Sequence, residues 1–390
     1  MEPKKKLRVL ILSCNTGEGH NAAARAIRER CEAEGHEATV LDFLSLSGNR
    51  VSAFISGFYI NMAKYVPYVF GFFYNAMLLV SRTFYIGHSV VYLLNARVAP
   101  KLLAYLNENH YDAIVATHLF PADAIAKLKK QGHPVPLSIM VATDYTCYPF
   151  LEEAVCDHYV LAHEQFESVY AKRKIPAEKL CPFGIPVSMR FQNPPSREEA
   201  RAMLGIDPDV PMYLVMGGSM GAGRIRSFTK ALSGKIGEGR IIVICGKNAK
   251  LENSLKKRFQ NTENVSIIGF TTDIPIYMSA CDVLYTKPGG LTSTEALVCH
   301  TPTVHTAPIP GCESDNMRFF RDRGLAIPAK SIKKQVRAGC ELAADAGKRE
   351  EMRKNQMRDA KPNTTLDIVR LIERETETPD SRADEEEKTV

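Results

Sequence analysis

Short apolar runs of strand length alternate with amphipathic stretches along most of the chain. In the first half "LRVLILS" (7–13), "YDAIVATH" (111–118), "LSIMVAT" (137–143) and "DHYVLAH" (157–163) read as strands, each followed by helical or turn-rich sequence. In the second half "MYLVMGG" (212–218), "RIIVICG" (240–246), "VSIIGF" (265–270), "DVLYTK" (282–287) and "TPTVHTA" (301–307) repeat the pattern. Strands spaced by helices in this way predict βαβ units and parallel sheets. With 390 residues there is chain enough for two buried cores. The proline-rich, polar stretch "FGIPVSMRFQNPPSREEARAMLGIDPDVP" supplies a hinge near 185–210. The expected organisation is α/β, with two doubly wound domains at 1–190 and 191–375. The acidic tail 376–390, "TETPDSRADEEEKTV", has little to bury and is expected to be disordered.

One region breaks the alternation. From Phe43 to Asn107 there is no Asp or Glu, yet there are five Lys or Arg and 14 of the chain's 32 Phe and Tyr residues. A helical subdomain with an apolar core would explain the aromatics, but a core does not require every carboxylate to be removed. Exclusion of acids with retention of Lys64, Arg82, Arg97 and Lys101 suits an anionic lipid surface, with Tyr and Phe at headgroup level. Asn61, Lys64 and Asn75 interrupt the run too often for a spanning helix. The insert, about 43–107, is therefore expected to lie on a bilayer or grip a lipid.

Composition narrows the class further. The net charge of +6 is modest and points to no nucleic-acid partner. Ten cysteines, without a C-x-x-C pair or metal-ligand spacing, fit reduced thiols. "MEPKKKLRVLILSC" runs straight into a strand-length apolar run that meets Asn15 and Gly17 rather than a cleavage site, so no signal peptide is expected. A cytoplasmic protein at the inner face of the membrane is the expectation.

In doubly wound sheets ligands bind beyond the carboxyl ends of the strands. Three loops there concentrate chemistry. "SCNTGEGHNAAARAI" has Gly17 and Gly19 for close backbone approach and His20 at a helix opening, although a tight strand-to-helix turn with a passive histidine is the plainer reading. "MGGSMGAGRI" offers Gly218, the hydroxyl of Ser219 and a cation at Arg224. "DVLYTKPGGLTSTEAL" joins a strand to a helix through Gly289 and Gly290, and a helix opening with unpaired N–H groups is an anion site.

The last loop continues as "KPGGLTSTEALVCHTPTVHTAPIPGCESDNMRFF", and this segment resembles the nucleotide-sugar site of family 28 glycosyltransferases, especially monogalactosyldiacylglycerol synthases and processive diacylglycerol glucosyltransferases. "TGEGHNAAARAI", "ATDY" and "FGIPV" are similar to the family's glycine–histidine loop, acidic loop and interdomain turn, and the likeness covers about residues 7 to 375 in order. It implies the GT-B architecture, two Rossmann-like domains facing a central cleft, with acceptor on the N-terminal domain and donor on the C-terminal one. The implied donor is a UDP-sugar. Gly289, Gly290 and Thr292 would lie against the diphosphate, with Gly218 and Ser219 beside it. Glu295 would hold the ribose, the backbone at Gly269 and Phe270 would face the uracil, and Glu313 and Asn316 would hold the transferred sugar.

Two departures bear on specificity. Cys312 stands where the family commonly has glutamine, and "TCYPF" follows "ATDY" where a histidine and a tryptophan are usual. The expected chemistry is inverting transfer of a hexose, glucose or galactose, to the hydroxyl of diacylglycerol or a related membrane lipid. Without an Asp-x-Asp motif for the donor, helix N-termini and loop N–H groups are expected to stabilise departing UDP, with no metal strictly required and no other cofactor. His20 is the candidate base by position and intrinsic pKa, with Asp144 as its orienting partner or the base itself and His118 as a weaker third candidate. The alternatives are a UDP-N-acetylglucosamine transferase acting on a polyprenyl-linked or other acceptor, and a UDP-sugar epimerase or binding protein of the same fold.

Overall fold

The computed structural model describes residues 5–83, 89–218 and 224–377. Its first half holds strands β1 (Arg8–Ser13), β2 (Glu37–Asp42), β3 (Ala113–Ala116), β4 (Leu137–Val141), β5 (His158–Val160) and β6 (Leu180–Cys181). The second holds β7 (Met212–Met216), β8 (Arg240–Ile244), β9 (Val265–Ile268), β10 (Val283–Thr286), β11 (Thr303–His305) and β12 (Ile327–Pro328). They form two six-stranded sheets, ordered β2-β1-β3-β4-β5-β6 and β12-β11-β10-β7-β8-β9. Every pairing is parallel.

This is the architecture expected of the apolar runs. Strands such as "MYLVM" are buried along their whole length because helices cover both faces of a parallel sheet. In each sheet the strand order reverses at one place, between β1 and β3 and between β7 and β10, with registers such as Val9↔Ala113 and Val283↔Tyr213. Such reversals open crevices at the carboxyl ends of the strands. The glycine–histidine loop follows β1, and the loop Lys287–Gly290 follows β10, so the two candidate loops sit at the two crevices.

The halves are joined by an apolar core of their own. Ala23, Tyr145, Ile185 and Val187 from the first half pack with Leu291, Leu297, Phe319 and Phe320 from the second. The hinge is tighter than its composition suggested. Gly184 has φ +108, and a Cβ there would stand 2.7 Å from both Lys361 and Thr364, where the chain crosses back. That return is a departure from the expected boundary: the helix Thr364–Glu377 packs Ile368, Val369, Leu371 and Ile372 against Leu7, Val9 and Ile11 of the first sheet, rather than staying with the second. Thr376 and Glu377 are helical, while the rest of the expected tail lies outside the described residues.

The insert forms two 17-residue helices, which we call α2 (Asn49–Tyr65) and α3 (Pro67–Thr83), after α1 (Glu18–Ala33). Tyr74 of α3 is buried, but four of their phenyl rings are not packed inward. Phe54 is 75% exposed, Phe72 70%, Phe58 61% and Phe73 55%, so the reading of a plain apolar core fails here. Among the described residues no helix is long and apolar enough to cross a membrane. None of the ten cysteines forms a disulfide, as expected of reduced thiols.

Candidate active site

His20 stands in the first turn of α1, entered through Gly17 in extended backbone. Its Nδ1 lies 2.8 Å from the Thr117 carbonyl. A carbonyl only accepts, so Nδ1 carries the proton and Nε2 keeps its lone pair. The Thr143 hydroxyl lies 2.9 Å from the same Nδ1, and Nε2 has no hydrogen-bond partner among the described residues. Burial pulls His20 down to about 4, so it is neutral at pH 7. His118 meets the His20 ring edge to face at 4.5 Å. Both of its nitrogens are used: Nδ1 accepts the Phe120 N–H at 3.2 Å, capping the helix Leu119–Lys130, and Nε2 faces the Thr16 hydroxyl at 3.4 Å. It is a capping residue.

Asp144 follows β4 and reaches across to the second domain. Asn316 Nδ2 donates to its Oδ1 at 2.7 Å, and the Tyr148 hydroxyl donates to Oδ2 at 3.3 Å. Burial raises its carboxyl to about 6, against those two hydrogen bonds. No hydrogen bond joins Asp144 to His20 among the described residues; the groups that orient His20 are Thr117 and Thr143, so the expected orienting role moves one residue back along the loop. Asn316 also departs from expectation. It is fully buried, its second N–H goes to the Pro288 carbonyl at 3.0 Å, and its carbonyl accepts the Tyr145 N–H at 2.7 Å. With both donors taken, Asn316 fastens Asp144 to the donor loop instead of facing a sugar.

On the opposite wall the helix Gly290–Val298 opens at Gly289. Gly290 is required by close approach of the domains: a Cβ there would lie 1.9 Å from the Thr143 carbonyl and 3.0 Å from Asp144 Oδ1. Gly19 meets the same opening from α1, its Cβ position 3.5 Å from Leu291 Cδ2. Lys287 stands over this helix start, its Nζ 3.7 Å from where a Cβ on Gly289 would be and its Cε 3.4 Å from that of Gly218, which has φ +67. Glu313 pairs with Lys287 Nζ, and its Oε2 accepts the Ile309 N–H at 2.8 Å. A carboxylate has room for further donors, so Glu313 keeps the capacity for sugar hydroxyls that Asn316 lacks.

Thr292 and Glu295 lie on this helix, both half-buried. Glu295 is the sixth helical residue, beyond the first turn, where the dipole no longer rewards a carboxylate. It has no hydrogen-bond or charge partner among the described residues, and burial raises it to about 8. Gly269 and Phe270 follow β9, three strands from β10 across β8 and β7. At about 4.8 Å per strand, only an extended ligand could span the two loops. The Phe270 ring is 63% exposed, with Lys247 Nζ 5.8 Å from its centroid, and Lys247 also lies 3.6 Å from Glu18 across the cleft. Arg97 and Lys101 are exposed. The side chains of Lys64 and Arg82, and the whole of Ser219, lie outside the described residues.

The family profile described as monogalactosyldiacylglycerol (MGDG) synthase matches residues 20–187, and that of glycosyl transferases group 1 matches 196–359. The processive diacylglycerol beta-glucosyltransferase of Staphylococcus saprophyticus is 28% identical over 81% of this chain and 80% of its own. The chain thus carries, in order, the domains of these two glycosyltransferase profiles. A probable monogalactosyldiacylglycerol synthase 3 of Oryza sativa is likewise 28% identical, over 93% of this chain and 73% of its own. The calicheamicin glycosyltransferase CalG4 superposes with a TM-score of 0.62 at 14% identity, covering 96% of this chain and 100% of its own, a likeness of fold. The two Rossmann-like domains thus have the GT-B architecture, as the motifs implied.

Within this glycosyltransferase the principal residue that sequence reading passed over is Lys287. A lysine at the carboxyl end of a strand, directly before Pro-Gly-Gly, was the available signal. Thr117 and Thr143, which set the histidine tautomer, carried none, because their role depends on two loops about a hundred residues from His20 in sequence meeting it in space.

Proposed function

We propose that this glycosyltransferase moves a hexose from a UDP-sugar to the hydroxyl of diacylglycerol or a closely related lipid, with inversion, at a membrane surface. The observation that carries the reading is the meeting of two loops across the cleft: Gly19, beside His20, lies against Leu291, and Thr143, which holds the His20 ring, lies against Gly290 at the helix opening topped by Lys287. His20 takes the acceptor proton at Nε2 as the hydroxyl oxygen attacks the anomeric carbon and the bond to UDP breaks. Thr117 and Thr143 hold the ring so that Nδ1–H stays in place during the transfer.

Charge on the departing diphosphate is met by Lys287 and the N–H groups at Gly290, Leu291 and Thr292, which lack an intrahelical acceptor. These groups suffice in kind for charge stabilisation, and we assign no metal to the step. Glu295 receives the ribose hydroxyls and Glu313 the sugar. Of the two candidate bases we favour His20, whose Nε2 has no partner among the described residues, whereas Asp144 is fastened by Asn316 and Tyr148.

The acceptor class rests on two supports. Relatives at 28% identity are named for diacylglycerol or its galactosyl product, and the exposed phenyl rings of α2 and α3 give the acceptor-side domain an apolar face. Incubation with a panel of UDP-sugars and a mixed lipid extract, followed by mass spectrometry of the lipid fraction, tests this reading. A hexose added to diacylglycerol supports it. Transfer only to a polyprenyl phosphate, or epimerised free sugar without transfer, contradicts it.

A further inference from the structure

The aromatic insert touches the donor domain through α3. Gly71 lies against Pro310, and a Cβ on Gly71 would stand 2.3 Å from the Pro310 Cβ. One helical turn further on, the buried Tyr74 hydroxyl accepts the Cys312 S–H at 3.2 Å. Both partners belong to the Ile309–Glu313 turn, which closes on itself where Ile309 N–H meets Glu313 Oε2 at 2.8 Å. The other oxygen of Glu313 pairs with Lys287, the cation over Gly289. The loop after β4 is fastened to the helix Cys312–Asp322, which begins in this turn, by Thr146, whose hydroxyl donates to Asp315 at 3.0 Å.

We propose that Gly71 and Tyr74 are positioning residues for the donor: α3 sets the Ile309–Glu313 turn, and through Glu313 it sets Lys287, so that seating the insert on lipid and binding the UDP-sugar are coupled. The contacts are rigid on both sides, a proline against a helix backbone with no room for a methyl group, so a displacement of α3 is passed on rather than absorbed. Coupling between two sites is reciprocal: if donor binding fixes α3, lipid contact at α3 raises donor affinity by the same factor. The inference rests on the proposed UDP-sugar donor, and its lipid half rests on the membrane-facing reading of the insert.

The test is calorimetric titration of UDP into the full chain, with no acceptor present, before and after addition of vesicles of anionic phospholipid. Gly71→Ala is expected to weaken UDP about fivefold or more, the lower end of ordinary allosteric coupling. The double variant Gly71→Ala/Pro310→Gly removes the opposing Cβ and should restore affinity. Tyr74→Phe keeps the ring and loses the S–H···O contact; it should raise the KM for the UDP-sugar while kcat stays within about twofold, which general loss of fold would not do. Vesicles should tighten UDP binding in the wild type and not in Gly71→Ala.

Wild-type affinity for UDP in a folded Gly71→Ala protein, or a wild-type affinity indifferent to vesicles, overturns the inference. Should Gly71→Ala fail to fold, a Tyr74→Phe protein with an unchanged donor KM overturns it instead. A wild type that does not bind UDP at all overturns the proposed function as well, so the two failures are told apart.

Discussion

Replacing Glu295 with glutamine should stabilise the fold and weaken the donor. Burial, with no partner among the described residues, raises this carboxyl from 4.5 to about 8. A raised carboxyl means that folding takes up a proton between those two values, so the fold loses stability as pH rises through that window. At about 1.4 kcal/mol per pH unit, keeping the group neutral at pH 7 costs the fold about 3 kcal/mol, and partial exposure trims this to about 2–3 kcal/mol. A glutamine side chain at this position would need no such proton. Melting curves should therefore show the Glu295→Gln variant about 5 °C or more above wild type at pH 8, with the gap closing near pH 5. At pH 9, where the carboxylate is ionised, the same substitution exchanges a charged acceptor for a neutral one at the proposed ribose contact, a difference of about 1–1.5 kcal/mol, so UDP affinity measured there by calorimetry should fall about tenfold. A variant that melts with the wild type at pH 8, or that binds UDP unchanged, would refute the reasoning.

His20→Ala should lower kcat by about 10²–10⁴ and leave UDP affinity close to wild type, because His20 stands on the acceptor side; unchanged turnover at saturating acceptor would move the base elsewhere. The pH profile of kcat/KM should separate the two candidates: His20, held near 4, leaves activity flat above pH 5, whereas a fall below about pH 6 that disappears in Asp144→Asn reports the raised carboxyl of Asp144. Lys287→Ala should weaken UDP by about 1.5–3 kcal/mol, more than it weakens uridine, as titration of both ligands would show. Changing Phe54, Phe58, Phe72 and Phe73 together to Ser should abolish sedimentation with vesicles while leaving the melting temperature nearly unchanged, since these rings are already in water; Arg97→Gln with Lys101→Gln should instead remove about 2 kcal/mol of preference for anionic over neutral vesicles.

The central strands were legible because both of their faces are buried, which leaves uninterrupted runs such as "RVLILS" and "MYLVM". Of the four edge strands, β9 was legible and β2, β6 and β12 were not. β2 alternates between exposed and partly buried positions, and the other two are only two residues long. The donor loop was legible because a strand, a glycine turn and a helix start are all local. Gly290 shows the limit of that reading: its place in the glycine pair suits an anion site, yet the contact that forbids a side chain is the Thr143 carbonyl of the other domain. The resemblance places Asn316 at the sugar, but what its amide does is decided by Asp144, Pro288 and Tyr145, three groups remote in sequence. The insert was legible as a surface from what it lacks, since the absence of carboxylates between Phe43 and Asn107 has no explanation in core packing.

The proposed transfer is a single displacement at the anomeric carbon between His20 and the Lys287 helix opening. The most direct measurement is the anomeric configuration, by proton NMR, of the first glycolipid formed from diacylglycerol vesicles and an α-configured UDP-hexose. A β-linked hexosyl lipid is the predicted result, formed by the wild type and scarcely by His20→Ala; an α-linked product, or equal yields from both proteins, would contradict it.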